Sequence, residues 1–146
     1  MSEMLEKPSV PPGECSWWLP SRHESAGVAR RVLRTFLAGH PGGERFTETG
    51  ELVLGELVAN SVLHAQTPPG RLVLVHLDLR PDSLRVEVHD ADGTPPSAPH
   101  ATAGFEESGR GLLLVSLLAA DWGCRPRARG VGKAMWAVIG TDGDAK

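Results

Sequence analysis

A chain of 146 residues that is 40% hydrophobic and 23% charged has the size and composition of one globular domain around a single core. Its net charge of -3 and pI near 6.0 exclude a general binder of nucleic-acid backbone, which needs clustered Lys and Arg. No apolar run approaches the ~18 residues of a membrane span, and Cys15 and Cys124 make no disulfide framework, so the expected setting is a reducing cytoplasm without a membrane or nucleic-acid partner.

Residues 1–14 mix charge with Pro8, Pro11, Pro12 and Gly13 and offer little apolar surface, which predicts a flexible tail before a domain over 15–140 and a short C-terminal tail over 141–146. Ser16 to Leu19 suits a short edge strand. From Pro20-Ser21 to Gly39 the apolar residues Ala26, Val28, Ala29, Val32, Leu33, Phe36 and Leu37 recur at helical spacing, with Arg30, Arg31 and Arg34 as the solvated face. The loop from His40 to Arg45 leads to a second helix, about Thr47 to Ala65, closed by Pro68, Pro69 and Gly70. Arg71 to Leu79 and Leu84 to Asp90 alternate around the turn residues Arg80 to Ser83 and predict an antiparallel hairpin. A Gly- and Pro-containing segment precedes a helix over Leu112 to Ala120, and Asp121 to Arg127 with Val131 to Ile139 make a second hairpin. A two-layer α/β sandwich with a mixed sheet and about three main helices is the economical architecture. Trp17, Trp18, Trp122 and Trp136 most simply plug the edges of its core.

Three places break these patterns. The second helix is apolar around most of its circumference, yet Glu56, Asn60 and His64 follow one another at steps of four and form one polar stripe. Such a stripe either faces solvent or points a carboxylate and an amide oxygen into a cleft that holds a metal and phosphates. Counting in twos from Leu84 through Val86 and Val88 puts Asp90 on the inward face, where a carboxylate needs hydrogen-bond partners. Either the strand ends at His89 and Asp90 opens an Asx-type turn with Asp92-Gly93, or the carboxylate receives a ligand amino group. Ser108, Gly109, Arg110 and Gly111 stand before the expected helix, where glycines let backbone N–H groups approach an anion; an ordinary loop end is the alternative. The histidines lack metal-ligand spacing, the cysteines lack a nucleophile's setting, and the serines lack a Gly-x-Ser-x-Gly elbow.

Glu56 with Asn60, Ser61 and His64, then Asp90 with Gly93, then Gly109 with Gly111 and Leu112, then Gly132 with Lys133 and Trp136 follow in an order and spacing that resembles the histidine-kinase-like ATPase domains of the GHKL superfamily. The likeness is to the stand-alone anti-sigma factor serine kinases of the RsbW and SpoIIAB type and runs from about Trp17 to Ile139. The resemblance implies a Bergerat-type fold that binds ATP and Mg2+. It implies Glu56 as general base, Asn60 as metal ligand, and Asp90 as acceptor for the adenine amino group with Gly93 giving the purine room. Gly109, Arg110, Gly111, Leu112 and Lys133 are further cofactor-binding candidates by the same resemblance. An ATP lid is implied over about Thr94 to Ser108, stiffened at its start by Pro95, Pro96 and Pro99. Ala134, where relatives commonly carry threonine, implies weaker nucleotide binding through the loss of a hydroxyl. The implied activity is a serine protein kinase whose partners are a STAS-type anti-anti-sigma protein and a sigma factor, with homodimer formation open. A nucleotide-gated binding module without transfer and a simple ATPase are the other readings.

Overall fold

A computed structural model describes residues 13–64, 71–90, 107–127 and 132–140. In chain order these form β1 (Glu14–Pro20), α1 (Ser25–Ala38), a 3-10 turn (Gly43–Phe46), α2 (Thr47–His64), β2 (Leu72–Leu79), β3 (Ser83–Asp90), α3 (Glu107–Leu118), β4 (Asp121–Pro126) and β5 (Lys133–Gly140). The strands make one five-stranded sheet in the order β1-β2-β3-β5-β4. Every pairing in it is antiparallel, which corrects the expected mixed sheet while leaving the two-layer α/β class in place. The chain returns from β3 to β5 only after α3 and β4, so that passage, unlike a hairpin, brings distant segments together.

One face of the sheet and the inward faces of the helices share a core. Leu19, Val73, Val75, Leu77, Leu84, Val86, Val88, Met135 and Ala137 come from the strands, and Ala29, Leu33, Leu37, Val53, Leu54, Leu57, Val58, Leu112 and Val115 from the helices. Each such aliphatic side chain contributes about 1.5–3 kcal/mol when fully buried, and this term holds the layers together. The strict alternation of Leu84, Val86 and Val88 fixes the register of β3, since a slip of one residue would turn all three to the other face.

Several boundaries differ from expectation for local reasons. β1 begins at Glu14, because its backbone pairs along the whole of β2 rather than over Ser16 to Leu19 alone. Residues 1–12 and 141–146 lie outside the described residues. Helix α1 starts at Ser25 instead of Ser21: the Ser21 N–H still donates to Arg71 O at 2.9 Å, and the buried Ser25 hydroxyl turns the chain by donating to Pro20 O at 2.6 Å. Arg34 is exposed as expected but donates two 2.8 Å hydrogen bonds to Glu51 of α2. Arg30 lies across Gly55 of α2, where a Cβ would stand 2.5 Å from its Nη1. Trp17 and Trp122 pack against the core, but Trp18 is 54% exposed and Trp136 shares its side of the sheet, so only two of the four tryptophans fulfil the expected role.

Candidate functional site

Helix α2 is apolar enough to be buried on nearly every side, and its exposed line runs through Glu48, Leu52 and Ala59. Leu52 is 46% exposed and Ala59 also faces outward, whereas Glu56 is half-buried and Asn60 only 5% exposed. Within the polar stripe, Asn60 therefore does not face solvent, and Glu56 does so only in part. Both side-chain polar atoms of Asn60, Oδ1 and Nδ2, are buried and lack a hydrogen-bond partner among the described residues. Leaving a buried polar group unsatisfied costs about 1–3 kcal/mol, so this carboxamide fits a site that a ligand completes. His64 is the last residue of α2, and its side chain is outside the described set.

Asp90 remains in β3 to its end and is 2% exposed, so the inward count was right and the alternative in which the strand stops at His89 was not. Among the described residues, Ser61 and Lys133 answer its charge. The Ser61 hydroxyl donates to Oδ2 at 3.0 Å, and the Lys133 ammonium stands 3.2 Å from Oδ1 and 3.1 Å from Oδ2. Lys133 is itself 3% exposed. It reaches this place because the β3–β5 register sets Lys133 directly across from Asp90, after Gly132 has turned the chain at a φ of 90°, open to glycine alone without strain. Asn60 and Ser61 are successive residues, so α2 delivers the orphaned carboxamide and the Asp90 hydrogen bond from one turn of helix.

The same register corrects the expectation drawn from Ala134. Successive strand residues point to opposite faces, and Ala134 pairs with His89 on the face away from Asp90. A hydroxyl at 134 would not reach that carboxylate, and Lys133 holds the facing position instead.

Helix α3 also differs from the expected picture. It begins at Glu107, so Gly109, Arg110 and Gly111 belong to its first turns rather than to a loop before it. The first four N–H groups of a helix are the ones without intrahelical partners. They include those of Gly109 and Arg110 but not that of Gly111. Gly111 serves α2 instead: a Cβ there would lie 2.5 Å from Glu56 Oε1, so the bare Cα is what lets the carboxylate lie against α3. Leu112 is 1% exposed and its side chain belongs to the core. Gly93 and the greater part of the implied lid, residues 94–106, are outside the described residues, as is the side chain of Arg110.

Glu56 of α2 thus meets Gly111 of α3, while Ser61 of α2 and Lys133 of β5 meet Asp90 of β3. Reading the sequence missed Ser61, because stepping by four along the stripe skips the residue after Asn60; the demand of Asp90 for a donor was the signal that could have found it. Among the described residues no three His, Cys, Asp or Glu side chains stand together to hold a metal. The donor set instead suits Mg2+, which accepts one or two protein oxygens and completes its shell with waters and phosphates; Asn60 Oδ1 fits that need.

No curated protein sequence matches this chain. The family profile described as Histidine kinase-like ATPase domain matches residues 19–138, from the end of β1 to within β5, and so spans every element that contributes to the site. This membership supports ATP binding and ATP-dependent activity in general. Because that match covers well over half of its residues, the chain belongs to the histidine kinase-like ATPase domain family.

Proposed function

We propose that this protein is an ATP- and Mg2+-dependent serine protein kinase of the anti-sigma factor type, acting in the cytoplasm on a STAS-type anti-anti-sigma partner and holding a sigma factor when that partner is phosphorylated. The observation that carries the reading is the buried, unpartnered carboxamide of Asn60 one residue from the hydroxyl that holds Asp90. In this reading Asn60 Oδ1 is the protein's oxygen ligand, and Asp90 accepts a hydrogen bond from the purine amino group. Bound Mg2+ supplies charge neutralisation at the phosphates. Glu56, one helical turn before Asn60, takes the proton from the attacking serine hydroxyl, a role that needs a carboxylate within hydrogen-bond reach of that oxygen. Its place against Gly111 limits where the carboxylate can go and so favours one orientation. The partner classes come from the resemblance of the motifs to the anti-sigma kinases.

The test is ATP titration by calorimetry with and without Mg2+, followed by phosphoryl transfer to a serine-bearing STAS protein. Asn60→Ala is expected to lose Mg2+-dependent binding. Glu56→Ala should bind ATP within a few-fold of wild type and lose transfer by about 10²–10⁴-fold, the range of one general base. Normal ATP affinity in Asn60→Ala overturns the site. ATP binding with no transfer to any STAS protein overturns the kinase assignment and leaves a binding module, while hydrolysis without a partner identifies an ATPase.

A further inference from the structure

The chemistry of Asp90 depends on what stands next to it, and among the described residues the cation beside it is Lys133. Nζ lies within 3.2 Å of both carboxylate oxygens, with both residues almost wholly enclosed and set opposite each other by strand register. An ionised carboxylate only accepts hydrogen bonds; a protonated one also donates. A cation set across both oxygens fixes the plane of the carboxylate and keeps both oxygens in place, as the Ser61 hydrogen bond does from α2.

We infer that Lys133 is the positioning residue that sets base selection: by clamping Asp90 as an acceptor, it makes the pocket take a purine with an amino group at its six position and refuse one with a carbonyl there. The inference rests on the nucleotide reading above. Hypoxanthine differs from adenine in this respect, since it places a carbonyl lone pair where adenine offers an N–H donor. Against a clamped carboxylate that carbonyl meets repulsion and leaves buried groups unpaired. Against a carboxylate whose plane Lys133 no longer fixes, an oxygen can turn aside and the repulsion falls. Lys133 acts through Asp90 and does not itself touch the base.

The experiment compares dissociation constants for ATP and ITP, each with Mg2+, in the full chain by calorimetry, after melting curves have shown each variant folded. Wild type should prefer ATP by at least about tenfold, the scale of one charged hydrogen bond. Lys133→Met should weaken ATP and bring the ATP-to-ITP ratio toward one. Lys133→Gln keeps a donor for Asp90 and gives the test should the Met variant not fold; its ratio should fall between the two. Lys133→Arg should restore the preference. A structural loss alone would weaken both nucleotides together and leave the ratio unmoved. Wild-type selectivity in the folded Met and Gln variants overturns the inference while the nucleotide site stands. Failure of wild type to bind either nucleotide overturns the proposed function, and this inference with it.

Discussion

Gly111 decides how closely α3 approaches the carboxylate on α2, and its effect is opposite to that of an ordinary helical glycine. In an exposed helix interior, glycine costs about 0.5–1 kcal/mol relative to alanine. Here a methyl group would stand 2.5 Å from Glu56 Oε1, and Glu56 would have to move. Because the obstacle is the end of a flexible side chain, Gly111→Ala should fold with a melting temperature near wild type and bind ATP within a few-fold. Transfer should fall about tenfold or more, since a displaced base loses its geometry. Unchanged transfer in a folded Gly111→Ala would show that the Glu56 position is not set by α3. At this scale the sequence was informative where periodicity applies: Asp90 was found by counting in twos, and Glu56 with Asn60 by steps of four. It was silent on Ser61 and on the direction of Lys133 because both depend on contacts between elements far apart in the chain. Ala134 was misjudged for the same reason: which of Lys133 and Ala134 faces Asp90 follows from the β3–β5 register, which no local pattern encodes.

The elements show how the two faces of the sheet are held by different physics. The inward face is hydrophobic except where Asp90 pairs with Lys133 at its end, while the other carries a charged cluster across β3, β4 and β5. Glu87, 8% exposed, takes hydrogen bonds from Arg85 at 2.8 Å and Arg125 at 3.0 Å and pairs with His89 at 2.8 Å. Arg85 also lies 4.5 Å over the Trp136 ring, which in turn crosses Gly123 of β4, where a Cβ would meet the ring at 2.9 Å. The His89 hydrogen bond, followed by the hydrogen bond and charge of Arg85 and the charge of Arg125, holds the Glu87 carboxyl down to about 2 against the burial that pushes it up. With the folded value depressed below the ordinary 4.5, the unfolded chain binds the proton first as pH falls. The contribution is whole above about pH 5.5 and is lost progressively toward pH 2, amounting to a loss of about 2 kcal/mol by pH 3. Urea unfolding at pH 6 and pH 3 should therefore show a smaller acid loss in Glu87→Gln than in wild type, by about that amount. Equal acid losses in the two proteins would show that the cluster does not hold this proton off. The strands themselves were legible from alternation and turn residues, and both hairpins stand close to their expected limits. The start of α3 was not, because Glu107 to Gly111 lacks an apolar repeat and its glycines imitate a loop.

Across the whole molecule, the site unites segments that the chain keeps far apart. Asn60 and Ser61 lie near the end of α2, Asp90 ends β3, and Lys133 opens β5 on the far side of α3 and β4, so the site exists only when the sheet has closed in the order β1-β2-β3-β5-β4. The unfolded chain cannot assemble it. A ligand that binds only the folded state stabilises it by mass action, about 2.7 kcal/mol at a hundred times its dissociation constant. For a chain of about this length each kcal/mol moves the melting temperature by roughly 2–4 °C, so ATP with Mg2+ at that excess should raise it by roughly 5–10 °C. Asn60→Ala should lose the Mg2+-dependent part of the rise. Its own melting temperature should not fall in proportion, because it removes a carboxamide that the protein alone leaves unsatisfied. The two observations separate a binding group from a structural one: a residue held for folding loses stability when removed, whereas a residue held for the ligand loses the ligand's stabilisation. An Asn60→Ala protein that melts several degrees below wild type without nucleotide, yet still gains the full rise with ATP and Mg2+, would reassign Asn60 to the scaffold and move the metal-binding role elsewhere in the site.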